Sequence, residues 1–214
     1  MLVHDALIPH LAVKLSVRAE VKKSKLDLAV LKYMTRRLHF LLRQLGQPLS
    51  TAQPSLYLLE ERHKRTHRIT IYKQQELLLR SSFLFVGFVS RKHKDALPSV
   101  SDDIVQADKQ LIQEFVHNPA ILSYSSLEFR NGDWCNLVVM SGPEAKSYIK
   151  SSATHAYAAH QLAQHYYEWI RLHNGIMPEG LDHTEMQLLK TKYYTFPTIH
   201  TPPIIQEHVL CGRS

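Results

Sequence analysis

ILSYSSLEFRNGDWCNLVVM, residues 121–140, is the stretch whose reading decides the fold. Asn131-Gly132 is the pair that most readily takes the positive φ angles of a type I′ turn. The runs on either side, 121–129 and 134–140, read as the two strands of a hairpin. A two-residue loop places Arg130 opposite Asp133, Phe129 opposite Trp134, Leu127 opposite Asn136 and Ser125 opposite Val138. An ion pair and an aromatic pair support that register. It gathers Ser123, Ser125, Leu127, Trp134, Asn136 and Val138 on one face.

Outward from the hairpin, Phe83 to Ser90 is a continuous apolar segment of strand length, which predicts a central strand. Ser101 reads as the cap of a helix running to about His117. Asp102 and Asp103 suit its positive end, and Ile104, Val105, Leu111, Ile112 and Phe115 form its buried stripe. Asn118 and Pro119 stop it. Beyond the hairpin, Pro143 opens a second helix to about Gln164, and residues 166–173 return as a strand. The order βαββαβ predicts an α+β domain of ferredoxin-like type over residues 83–196. Within it, 186–196 adds an edge strand or pairs with a second subunit, and 197–214 is a tail.

Residues 1–82 read as an N-terminal α+β region. Leu11, Val13, Leu15, Val17 and Ala19 alternate with less apolar neighbours, the period of a half-buried strand. Ser24 suits an N-cap with Asp27 three residues on. Leu31, Met34, Leu38, Leu41, Leu42 and Leu45 recur at helical spacing until Gly46 and Pro48. Strands at 55–60 and 67–73 flank the basic turn Arg62 to Arg65, and the short segment QQELLL follows. The order suggests a degenerate copy of the later unit, so that an α+β barrel closes within the chain or by dimerisation.

Composition sets bounds. With 44% apolar and 21% charged residues, and no apolar run near the ~18 residues of a membrane span, the chain reads as globular and soluble. The start, MLVHDALIPHLAVKL, is broken by Asp5 and Pro9 and lacks the pattern of a secretion signal. Two cysteines, Cys135 and Cys211, without a CxxC pair, support neither a disulfide framework nor a cysteine-rich zinc site and favour a reducing cytoplasm. The formal charge is +7, with 18 Lys/Arg against 7 Asp/Glu in residues 1–100 and 8 against 12 afterwards. That excess marks either a surface that meets nucleic acid phosphates or acidic lipid head groups, or a solvated helix face with basic loops. No Gly-rich or aromatic-basic recognition motif accompanies it.

SYSSLEFRNGDWCNLVVM (123–140) with THAYAAHQLAQHYYEWIRLHNG (154–175) resembles the dimeric α+β barrel superfamily, in particular an uncharacterised bacterial branch. The resemblance implies sheet faces brought together from two subunits or two repeats around a small-molecule pocket, and a homodimer. Relatives include haem proteins and metal-free monooxygenases. The resemblance leaves the cofactor open; likeness to the haem-binding branches implies haem, with His155 in the place of the axial histidine that they supply from a helix.

The strand 166–173 divides by parity. Ile170 and Leu172 suit a helix-covered face, and Tyr167, Trp169, Arg171 and His173 then face a chamber or solvent. With Ser125, Trp134 and Asn136 they form a mixed aromatic and polar wall, the composition of small-ligand pockets, while ordinary exposed sheet faces and dimer interfaces share it. Arg171 offers a bidentate fork to a carboxylate or phosphate. His155, His160 and His165 are five apart, a spacing that turns side chains about 140° from one another and argues against a shared ion. An axial histidine on haem escapes that objection, and His155 continues a flank of Tyr148, Ser152, Ala159 and Leu162. Cys135 reads as a buried thiol rather than a nucleophile, and Glu128 and Glu168 fall on the opposite parity. No hydrolase elbow, Walker loop or dinucleotide fingerprint is present. Two functions are therefore expected: a small-ligand-binding barrel of haem or monooxygenase type, or a noncatalytic protein that engages an anionic partner through its basic first half.

Overall fold

A computed structural model describes residues 7–46, 53–129, 132–182, 185–198 and 201–210, with side chains from residue 22 onward. Helix α1, Leu7–Leu45, is continuous over 39 residues. It replaces both the strand expected at 11–19 and the helix start at Ser24. Nucleating a helix is costly while extending one is cheap, and the Leu, Ala, Lys and Arg of 11–19 are good helix formers. Ser24 is not a cap: its hydroxyl shares a 2.6 Å hydrogen bond with the hydroxyl of Tyr193. The supposed repeat thus lacks its first strand.

The remaining elements follow the expected order with shifted ends. Strands β1 (Ser55–Glu61) and β2 (Arg65–Ile71) are joined through His63 and Lys64, both at positive φ, and α2 spans Gln74–Leu79. Then come β3 (Phe83–Lys92), α3 (Pro98–Phe115), β4 (Ile121–Glu128) and β5 (Trp134–Met140). Helix α3 starts with Pro98 in its first turn, so Ser101 lies inside it and bonds back to the Leu97 carbonyl at 3.2 Å. The second expected helix is divided into α4 (Glu144–Ser151), α5 (Ala153–Tyr157), a π turn (Ala158–Leu162) and α6 (Ala163–Tyr166). Ser152 breaks it with an extended ψ of 128°, and its hydroxyl caps α5 at the His155 N–H. Strands β6 (Tyr167–Met177), β7 (Gln187–Thr195) and β8 (Ile204–Val209) complete the chain. β8 lies in the stretch expected to be a tail.

The eight strands of the described residues form one antiparallel sheet in the order β1-β2-β4-β5-β3-β6-β7-β8. This is an α+β fold in which β2 pairs with β4, so one sheet joins the two halves of the chain. Its outermost strands, β1 and β8, do not meet. Among the described residues the sheet does not close into a barrel.

The hairpin register differs from expectation by one residue. The Phe129 N–H donates to the Asp133 carbonyl at 2.8 Å and the Gly132 N–H to the Phe129 carbonyl at 3.1 Å, with Gly132 at φ +77°. The loop is therefore three residues long, with glycine in the left-handed position. Arg130 and Asn131 lie outside the described residues. Glu128 pairs with Trp134, Leu127 with Cys135 and Ser125 with Leu137. A slip of one turns every side chain of a strand over, so Cys135, Leu137 and Val139 join Ser123, Ser125 and Leu127. Trp134, Asn136 and Val138 point the other way.

Both faces carry helices. On the first, Leu31, Met34, Leu38, Leu41 and Leu42 of α1 and Leu77 of α2 pack over Phe83, Phe85, Val89, Leu137, Val139 and Met177. On the second, Phe115 of α3 and Ala145 of α4 meet Ile121, Tyr124, Val138 and Met140, and Ala163 of α6 meets Ile170.

Candidate functional site

Helix α1 separates its residues into two stripes. Ser24, Asp27, Leu31, Met34, Leu38 and Leu41 recur in steps of three and four and are buried, as one face of a 3.6-residue helix requires. Lys22, Leu26, Ala29, Tyr33, Arg36, Phe40 and Arg43 repeat the same steps on the outside, with Lys25 beside them, and all are exposed. Leu26 and Phe40 stand 62% and 54% exposed, more than a packed surface helix needs. Asp27 is the only acid between residues 22 and 45, and it points inward. The outer stripe is therefore built of cationic and uncharged residues and has no acid of its own.

Asp27 locks the helix to the sheet. The Arg171 guanidinium reaches its carboxylate with two bonds, Nε to Oδ2 at 2.5 Å and Nη2 to Oδ1 at 2.8 Å, the fork geometry of a strong charge-assisted pair. His173 Nε2 donates to Oδ2 at 2.8 Å, and its Nδ1 shares a 2.9 Å bond with the Thr191 hydroxyl. Arg171 also lies 3.9 Å from the centroid of the Trp169 ring, a cation–π contact. Burial alone raises the pKa of Asp27, but the bonds and charges of Arg171 and His173 outweigh it and hold the carboxyl below its ordinary value. The arginine expected to greet a ligand carboxylate thus holds one from its own chain.

The other expected pocket residues do not share one wall. Trp169, Arg171 and His173 are on the α1 face, as is Ser125, fully buried in the row of Leu137. The alternation of β6 therefore holds from Trp169 onward, but the opposite face is roofed by α1. Tyr167 falls on the other side because Lys92 pairs with Tyr167 and Arg91 with Trp169, leaving Glu168 as a bulge. Its ring meets Phe88 at 5.5 Å. Trp134 and Asn136 are on that second face through the hairpin slip. A cleft of about 280 Å³ lies between α1, α2 and the turn 179–182, with His39 and Asp182 in a 2.8 Å contact, and contains none of these residues.

His155 does not stand beside an open flank. Tyr148 donates to the Glu114 carbonyl at 3.0 Å, while Ser152 (2.5 Å) and Thr154 donate to the Glu114 carboxylate, so α3 covers that side. The π turn shifts the helical phase, which leaves Ala159 exposed while Leu162 is buried. The residues present do not fit a haem on the flank proposed for it. Among the described residues no three His, Cys, Asp or Glu side chains are placed to hold a metal ion. Cys135 is a buried free thiol whose burial pushes its pKa up; Cys211 lies outside the described residues.

Comparison with protein-family models, curated proteins and solved structures finds no match to this chain. Among the described residues no helix is long and apolar enough to cross a membrane.

A second anchor fixes α1 nearer its C-terminal end. Glu61 of β1 accepts from Tyr33, from Arg37 Nε at 2.9 Å, and lies 3.2 Å from His67 Nδ1. His67 is fully buried and stacked on Tyr33. Burial, the largest influence, keeps its ring neutral against the pull of Glu61 and sets its pKa below the ordinary 6.5. Between those two values the unfolded chain binds more protons than the folded one, so this contribution is full above pH 6.5 and falls as the solution is acidified. Urea midpoints are expected to drop from pH 7.5 to pH 5.5, and to drop less in His67→Gln. Equal slopes for the two proteins would refute the assignment.

The outer stripe of α1 was not recognised from the sequence. Asp27 reads there as a helix-start acid, and only the buried leucines stand out. The available signal was the second series at 22, 26, 29, 33, 36, 40 and 43, in step with the first and free of acids.

Proposed function

We propose that this chain is a noncatalytic interaction protein that engages an anionic partner through the outer stripe of α1. The observation that carries the reading is the segregation of charge on that helix. Lys22, Lys25, Arg36 and Arg43 face outward without an acidic neighbour on the helix, while the one acid of the segment is consumed inside by Arg171 and His173. A merely solvated helix face mixes signs and gains from i, i+4 pairs; this one has none to make. The small-ligand reading has less support, since α1 covers the wall of Trp169, Arg171 and His173. The spatial order β6-β3-β5-β4, with its two helical crossovers, supports reading that part of the sheet as ferredoxin-like.

Heparin serves as a generic polyanion for the test. Binding by the full chain is expected to weaken steeply between low and high salt, because exposed charges are screened beyond about 10 Å at 0.1 M. Lys25→Glu/Arg36→Glu is expected to abolish it without changing the melting curve. Salt-independent binding, or binding equal in the variant, would overturn the proposal.

A further inference from the structure

We infer that the anionic partner is a lipid surface, against which α1 lies flat with Leu26 and Phe40 entering the headgroup layer. The inference rests on the reading above and adds the chemical class of the partner. Charge selects an anion but does not explain the apolar members of the stripe. Leu26 and Phe40 alternate along it with Lys22, Lys25, Arg36 and Arg43, from one end to the other. A partner that offers phosphates alone would leave both apolar side chains in water. A membrane interface takes both kinds of group, the apolar ones at the acyl boundary and the cations among the head groups.

The geometry of the helix agrees. At 1.5 Å per residue, Leu26 and Phe40 are about 21 Å apart and the cations span about 32 Å, a long contact line rather than a pocket. The steps of four and three keep the line on one side of the helix. α2 packs on the same sheet face through Leu77, and next to it Leu79 is 74% exposed. Phe40 and Tyr33 offer rings that a base can stack on, but Leu26 and Leu79 neither stack on a base nor bond to its edge, so nucleic acid leaves both leucines in water and suits this surface less well than lipid.

Co-sedimentation of the full chain with phosphatidylcholine vesicles, with and without phosphatidylserine, tests the inference. Binding is expected to require phosphatidylserine and to fall about fivefold for each cation neutralised, so Lys25→Gln/Arg36→Gln loses on the order of 25-fold. Leu26→Ser/Phe40→Ser is expected to lose vesicle binding by at least about tenfold while heparin binding stays unchanged, since each buried side chain contributes a hydrophobic increment of its own. Both pairs are exposed, and circular dichroism checks that the fold is intact. A chain that binds heparin or duplex DNA through α1 but ignores phosphatidylserine vesicles overturns the lipid inference and leaves the broader function standing. A chain that binds none of these overturns both. Vesicle binding that survives the Leu26 and Phe40 substitutions overturns the insertion of the apolar stripe.

Discussion

Asp27→Ala is expected to destabilise the protein by about 3–5 kcal/mol, the usual cost of breaking a buried ion pair from one side. The magnitude comes from what is left behind. Arg171 is 13% exposed and His173 fully buried, so neither can recover a full hydration shell. Arg171 would retain Trp169 beneath it but lose both bonds of its fork, and His173 Nε2 would face no acceptor. Asp27→Asn retains the shape and turns one acceptor into a donor against the guanidinium, so it is expected to fall near the alanine variant. Removing both charges tests the account: Asp27→Leu/Arg171→Met replaces the pair by apolar groups of similar size, a change that is often neutral, and is expected to regain most of the loss. Urea denaturation of the four proteins measures this. A loss in Asp27→Ala below about 0.5 kcal/mol, the range of unremarkable surface changes, would mean that the pair is not formed.

The same carboxylate gives a second readout. Its pKa is lowered in the folded state relative to the ordinary 3.8. The stabilisation is therefore fully present above that value and is lost as pH falls through the folded pKa. The variant lacking the carboxylate has no such acid-dependent loss to show.

How far this could be read from sequence differs from element to element. Strands β3, β5 and β6 were legible because apolar runs of strand length bounded by turn residues have few other solutions. The alternation of β6 was legible from Trp169 on, and failed at Tyr167 because the Glu168 bulge depends on pairing with β3, which no local pattern encodes. The hairpin failed by a single residue for a related reason. Asn131-Gly132 permits a two-residue or a three-residue loop, and the choice is made by burial of Cys135, Leu137 and Val139 beside Ser125 and Leu127. α1 was half legible: its leucines marked residues 31–45, whereas 11–19 satisfy a strand period and a helix equally well. The partner of Asp27 was out of reach, since it lies 144 residues away along the chain.

The leucine that seats α1 gives the second large effect, and it is expected to be non-additive with the glycine beneath it. Leu31 is fully buried, and a Cβ built at Gly87 would come within 2.5 Å of its Cδ1 and 2.8 Å of its Cδ2. Leu31→Ala removes the side chain that fills this contact and is expected to cost about 3–5 kcal/mol, transfer energy plus cavity. Gly87→Ala overfills the same contact and is expected to cost about 1–3 kcal/mol. In the double variant the new methyl at position 87 occupies part of the space that Leu31 vacates, so each change relieves the other. The loss should fall short of the sum of the single losses by about 1–2 kcal/mol, a coupling typical of side chains in contact. Strict additivity would place Leu31 away from Gly87 and would rotate α1. Since the inward and outward stripes are fixed to one another by the helix, such a rotation would also turn Lys25, Leu26, Arg36 and Phe40 away from the surface on which the proposed function depends.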